Sequence, residues 1–188
     1  MSLIIEKTFI EGLLVVKPQV FRDQRGFFVE SYNRERFRTA GIATEFVQDN
    51  HSRSSRGTLR GLHFQTSPGQ VKLVRCTRGR IWDVAVDIRS ESPTRGRHFA
   101  LELSPDDLSM LYIPAGFAHG FLVLEDGTEV QYKCSSVYNP ATEAGLAWND
   151  ADLNIPWPLE RAGGAPLLSE RDQTNPSWRT WRATAREG

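Results

Sequence analysis

The feature that most constrains this chain is a series of short stretches in which apolar and polar residues alternate, broken at near-regular intervals by turn-forming residues. The alternation predicts strands over 13–16, 26–32, 71–76, 81–88, 98–103, 109–113, 120–124 and 129–137, because successive side chains on a strand point to opposite faces. Between them lie Asp23-Gln24-Arg25-Gly26, Ser67-Pro68-Gly69, Arg78-Gly79, Ser92-Pro93-Thr94, Pro114-Ala115-Gly116 and Glu125-Asp126-Gly127. Gly, Pro, Asp and Ser supply the backbone angles that tight turns need. Many short strands in this rhythm build a sandwich or a barrel, so the fold class is all-β. Helix is expected over 33–40, where Gly41 is a stop, and as a single turn at 105–108. From about 149 to 188 the alternation fades and Pro and Trp accumulate. That part is expected to wrap the barrel, which makes 1–188 one domain.

A chain of 188 residues is long enough to bury a core without disulfides or structural metal. Its 23 basic and 23 acidic residues balance, with no run of like charge, which gives no electrostatic case for a nucleic-acid or membrane partner. Cys76 and Cys134 sit in alternating stretches and form no CxxC, as expected of buried thiols in a reducing compartment. Residues 1–12 lack the basic-then-apolar layout of a signal peptide, and no apolar run reaches membrane-spanning length. The expectation is a cytoplasmic protein.

Four residues stand out chemically. In Leu59-Arg60-Gly61-Leu62-His63-Phe64-Gln65 a cation and an imidazole flank a glycine that lets the backbone bend. Lys72 lies between apolar neighbours, either snorkelling outward from an edge or held inward. His119 follows the Pro114-Ala115-Gly116 turn and precedes an apolar run, which places it at a barrel mouth. Tyr132 and Tyr138 share parity and project from one face if their strand is unbroken; ordinary barrel packing accounts for either alone. Together His63, Lys72, His119 and Tyr132 offer a near-neutral base, a fixed cation, a hydrogen-bond donor and a high-pKa acid. That set can take a proton from a carbon α to a carbonyl and return one to the other face. An unassigned barrel fits the same residues.

At these positions the sequence resembles the dTDP-4-dehydrorhamnose 3,5-epimerase family, from about Leu13 to about Asp172. The segments that carry the resemblance are Phe21-Arg22-Asp23-Gln24-Arg25-Gly26-Phe27-Phe28-Val29-Glu30, Val47-Gln48-Asp49-Asn50-His51-Ser52, Gly57-Thr58-Leu59-Arg60-Gly61-Leu62-His63-Phe64-Gln65, Asp83-Val84-Ala85-Val86-Asp87-Ile88-Arg89, Tyr112-Ile113-Pro114-Ala115-Gly116-Phe117-Ala118-His119-Gly120-Phe121 and Leu168-Ser169-Glu170-Arg171-Asp172. The resemblance implies a cupin-type jelly roll that forms a homodimer by exchanging strands. It implies catalytic roles for His63 as general base, Asp172 as its partner, Tyr132 as proton donor and Lys72 as stabiliser of the C4 enolate oxygen. Arg25 and Arg60 would hold the diphosphate or nucleotide, with Gln48, Asn50, Glu30, His119, Glu143 and Arg171 completing the ligand shell and Tyr138 stacking on the thymine ring. Arg25 and Glu30 lie on the segment expected to cross to the partner subunit.

His51 and His98 are expected to be peripheral. A metal-dependent cupin wants a close His-x-His pair with a carboxylate and a distant His; here the run reads His63-Phe64-Gln65 and a lysine follows, so neither a metal nor another cofactor is expected. A mono-epimerase of C3 or C5 on a related 4-keto sugar nucleotide remains the alternative activity, with a non-catalytic sugar-nucleotide binder behind it.

Overall fold

The computed structural model describes residues 2–184; Met1 and 185–188, the two ends of the expected 1–188 domain, lie outside the described residues. The elements run β1 (Leu3–Lys7), β2 (Leu14–Pro18), β3 (Val20–Asp23), β4 (Gly26–Val29), α1 (Arg34–Thr39), β5 (Gln48–Ser54), β6 (Leu59–Gln65), β7 (Lys72–Arg78), β8 (Ile81–Asp87), β9 (His98–Leu103), β10 (Met110–Ile113), β11 (Phe117–Val123), β12 (Thr128–Cys134), β13 (Glu143–Gly145), α2 (Glu170–Thr174) and α3 (Trp178–Thr184). Two antiparallel sheets carry the molecule, one ordered β1-β2-β10-β7-β12-β5 and the other β13-β6-β11-β8-β9. They form an open two-sheet jelly roll; among the described residues no ladder closes them into a continuous barrel.

The period-two pattern explains the packing. Val74 and Cys76 of β7 and Val130 of β12 meet Ile81 and Ala85 of β8 and Phe117, Phe121 and Val123 of β11 in one buried cluster between the sheets. Each fully buried aliphatic side chain there contributes on the order of 1.5–3 kcal/mol. The outer face of the five-stranded sheet is covered by the C-terminal segment: Leu146, Leu153, Trp178 and Trp181 pack on Leu62, Phe64, Val84 and Val86.

Local corrections follow from the geometry. The strand expected over 26–32 ends at Val29, and that over 129–137 ends at Cys134. Tyr138 therefore stands beyond the strand that carries Tyr132, exposed in the following loop. The 33–40 segment forms α1, with the Asn33 side chain accepting from the Arg36 amide and Gly41 adopting φ +93° after it. Residues 105–107 form a turn. Among the described residues, strands β3 and β4 pair only with each other. Their hairpin leaves Phe21, Phe27 and Phe28 exposed at 45%, 52% and 61%, whereas most large apolar side chains in the sheets are buried.

Candidate active site

The motif around His63 owes its geometry to a bulge. On a regular strand, residues three apart face opposite sides. Here β11 pairs His119 with His63 but Phe121 with Arg60, so two residues of β6 oppose one of β11. The extra residue turns both Arg60 and His63 inward, while Leu62 and Phe64 pack on the outer face. Gly61 makes this possible at φ +138°: a Cβ there would lie 2.5 Å from the Gly120 Cα. A bulge with glycine at the point of closest approach re-aims side chains in this way.

The inward residues meet in a cavity of about 500 Å³ lined by Arg60, His63, Lys72, His119, Tyr132, Arg171 and Asp172, among others. A second space of about 380 Å³ shares His63, Lys72 and Tyr132 and adds Gln48, Asn50, Tyr138 and Glu143. His63 comes from the five-stranded sheet; Tyr132 and Lys72 come from neighbouring strands of the six-stranded one. The imidazole and the phenol thus stand on opposite walls.

His63 Nε2 lies 2.5 Å from Asp172 Oδ1. Asp172 is buried on α2 and is itself held from the other side: the N-cap Ser169 hydroxyl donates to Oδ2 at 2.9 Å and accepts from the Asp172 amide at 3.2 Å. Burial raises the Asp172 pKa, but the hydrogen bonds and charge of His63, with the Ser169 bond, outweigh it and hold the carboxyl below its usual value. An ionised carboxylate only accepts, so Nε2 carries the hydrogen and Nδ1 is left as the basic nitrogen.

Lys72 is held inward, 9% exposed, with Nζ donating to the His63 carbonyl at 3.5 Å. Burial lowers its pKa, opposed by the nearby Cys134, Asp83 and Glu143. Burial likewise raises the Tyr132 pKa, so the phenol keeps its proton at neutral pH. Arg60 donates Nε and one terminal nitrogen to the Ser54 hydroxyl at 3.2 and 3.1 Å and has no carboxylate partner among the described ion pairs. His119 corrects its expected place: it sits within β11, 5% exposed, with Nε2 2.8 Å from Asp83 Oδ1. Burial is the chief cause of its lowered pKa.

At the rim, the Tyr138 hydroxyl donates to Glu143 Oε2 at 2.6 Å, and Arg171 pairs with the same oxygen at 2.6 Å. The Gln48 side chain accepts from the Tyr138 amide at 2.8 Å and donates to Asn50 at 3.1 Å. Arg25 and Glu30 are not brought to this cavity. Arg25 tips the β3–β4 hairpin, 85% exposed at its side chain and paired with Asp23; Glu30 pairs with Arg36. His51 pairs with Glu129, and His98 sits on β9; neither lines the cavity. Among the described residues, no three His, Cys, Asp or Glu side chains are placed to hold a metal ion. No helix among them is long and apolar enough to cross a membrane.

Sequence reasoning missed Ser54, Ser169 and Asp83. Asp83 had a legible signal, since it shares parity with the buried Ile81 and Ala85 and so puts a carboxylate on the apolar face of β8.

Fold and cavity define a jelly roll with a carboxylate-held imidazole and a phenol on facing walls. The model of the dTDP-4-dehydrorhamnose 3,5-epimerase family matches residues 7–180. A dTDP-4-dehydrorhamnose 3,5-epimerase of Escherichia coli is 52% identical over 169 residues, 89% of this chain and 90% of that protein. The crystal structure of the Legionella pneumophila dTDP-6-deoxy-D-glucose-3,5-epimerase in complex with dTDP-4-keto-L-rhamnose superposes with a TM-score of 0.92 at 40% identity, covering 97% of this chain and 96% of that one. A 3'-monoepimerase from Streptomyces bikiniensis in complex with dTDP-quinovose gives 0.84 at 34% identity, covering 97% and 98%. The chain belongs to the dTDP-4-dehydrorhamnose 3,5-epimerase family and is an isomerase of that family.

Proposed function

We propose that the protein inverts C3 and C5 of dTDP-4-dehydro-6-deoxy-D-glucose to give dTDP-4-dehydro-L-rhamnose. The observation that carries this reading is the pairing of an Asp172-held His63 on one sheet with Tyr132 on the other. Both carbons lie next to the C4 ketone, so one mechanism serves twice. His63 Nδ1 removes the proton α to the ketone, and the electron pair moves onto the C4 oxygen. The Lys72 ammonium stabilises that enolate; a positioned donor to an oxyanion supplies roughly 3–4 kcal/mol. Asp172 stabilises the imidazolium as it forms. Tyr132 then returns a proton to carbon from the opposite face, which inverts the centre. A phenol is a stronger acid than the α-carbon of a ketone, so the transfer runs downhill. Solvent exchange resets the imidazolium and the phenolate.

Arg60 holds the diphosphate, since a guanidinium fork matches two phosphate oxygens. Gln48, Asn50, His119, Glu143 and Arg171 contact the sugar nucleotide, and Tyr138 stacks on the base. Arg25 and Glu30 serve the neighbouring subunit's site in a homodimer. The β3–β4 hairpin, joined to neither large sheet among the described residues, with three exposed phenylalanines and an exposed Arg25 that lines neither cavity space, supports that assembly. The test is incubation with dTDP-4-keto-6-deoxyglucose and NMR of the product. Inversion at both carbons is expected; inversion at C3 or C5 alone would make the chain a mono-epimerase, the activity of the Streptomyces bikiniensis relative.

A further inference from the structure

Asp83 is an anomaly in the core. It is 0% exposed, on the inner face of β8 among apolar residues. Its Oδ1 accepts from His119, but Oδ2 is buried with no hydrogen-bond partner. A carboxylate oxygen left unmatched in an apolar interior is costly and calls for an explanation. Strand register supplies the setting. His119 stands opposite His63 on one side and Ala85 on the other, which makes Asp83 its diagonal neighbour. The order across the inner face is therefore His63, His119, Asp83, and Lys72 reaches in from the opposite sheet.

We propose that Asp83 is a positioning residue of this site: it fixes His119 in one tautomer and supplies the counter-charge that keeps the Lys72 ammonium ionised. The groups facing Lys72 come from five elements and the end of β12: His63 on β6, Asp83 on β8, His119 on β11, Cys134 on β12, Glu143 on β13 and Arg171 on α2. Cys134 is a neutral thiol, its pKa raised by burial. Glu143 is engaged by Arg171 and Tyr138, and Asp172 by His63. His119 is neutral, because burial lowers its pKa, so it brings no second positive charge beside Lys72. Among the described carboxylates, Asp83 is the one with a buried oxygen that accepts no hydrogen bond. A neutral amine at position 72 would not stabilise an enolate, so the orphan oxygen of Asp83 serves the reaction through Lys72 without touching substrate. The inference rests on the proposed role of Lys72, but its first test does not use substrate.

The chain has four lysines, Lys7, Lys17, Lys72 and Lys133, so each can be followed by NMR in ligand-free protein labelled with [¹³C]lysine, with Lys72 assigned from Lys72→Arg. In wild type, Lys72 should still be an ammonium at pH 7. In Asp83→Asn its midpoint should fall tenfold or more in proton affinity, while Lys7, Lys17 and Lys133 stay in place. The alkaline limb of kcat should move to lower pH by the same factor, with KM changed less. If Asp83 were only a core partner of His119, the variant would lose stability and leave the Lys72 titration unmoved; that outcome overturns the proposal. Should Asp83→Asn not fold, the wild-type titration decides, because a Lys72 already half-deprotonated below pH 7 also overturns it.

Discussion

Asp172→Asn isolates the charge of one carboxylate from its shape. The amide oxygen can keep the bond from His63 Nε2, and the NH₂ group can donate to the Ser169 oxygen, reversing the bond that Ser169 now donates. The tautomer of neutral His63 then survives, and what is lost is the anion beside the imidazolium that forms during proton abstraction. A hydrogen bond to a charged group is worth roughly 1.5–3 kcal/mol net. Asp172 is 3% exposed, so solvent screens the pair little and the upper part of that range applies. At about 1.4 kcal/mol per decade, kcat should fall on the order of 30- to 150-fold. KM should change by less than about threefold, because the charge matters after substrate has bound. Product formation followed by NMR at saturating and limiting substrate separates the two constants. A variant with wild-type kcat, or one that loses only affinity, would refute the role given to Asp172.

Three further outcomes follow. Asp87 is fully buried and accepts from Arg89, Ser92 and Thr94. Burial raises its pKa, but these bonds lower it further, to about 2 from the ordinary 3.8. Its contribution is therefore present above about pH 4 and lost as pH falls towards 2; it amounts to about 2 kcal/mol. The stability of wild type, measured by chemical denaturation, should fall by about that much as pH drops through this window, and Asp87→Asn should flatten the dependence; equal slopes contradict it. Gly120→Ala puts a Cβ 2.8 Å from the Arg60 carbonyl and 3.0 Å from the Gly61 Cα. It should lower stability by about 1–3 kcal/mol and reduce activity through the displaced bulge, and an unchanged Tm would show that the two strands can part freely. Light scattering at assay concentration should give a dimer. Inactive Arg25→Ala and inactive His63→Ala chains, mixed, should regain activity through the sites that combine intact residues from each; no recovery after subunit exchange would remove Arg25 from the partner's site.

Much of the fold was legible because most sheet strands carry apolar residues on one face. Strand β5 was not. Its inward residues Gln48, Asn50 and Ser52 and its outward Asp49, His51 and Arg53 are all polar, since its inner face lines a cavity and not the core. The alternation that reveals a strand is absent where the strand serves a ligand. In β6 the bulge at Gly61 interrupts the period, so its Arg60 and His63 could be picked out as chemistry but not assigned to one wall. His63, Lys72, His119 and Tyr132 were recognisable by type, and the cavity holds all four. Asp172 lies 109 residues from His63, and no local pattern joins them; resemblance alone linked the two. The hairpin at Arg25 was legible as a turn, but a chain read by itself gives no measure of what lies beyond its own surface.

Solvent isotope labelling tests the central claim most directly, because it reads abstraction and return of the proton separately. In D₂O the wild-type product should carry deuterium at each inverted carbon. His63→Ala should abolish exchange at C3 and C5 together, since no enolate forms. Tyr132→Phe should retain exchange while net inversion, at least at C5, falls on the order of 10²–10⁴-fold, the usual worth of a positioned acid. The enolate is then requenched from the face that lost its proton. Wild-type inversion at C5 in Tyr132→Phe, or undiminished exchange in His63→Ala, would contradict the account.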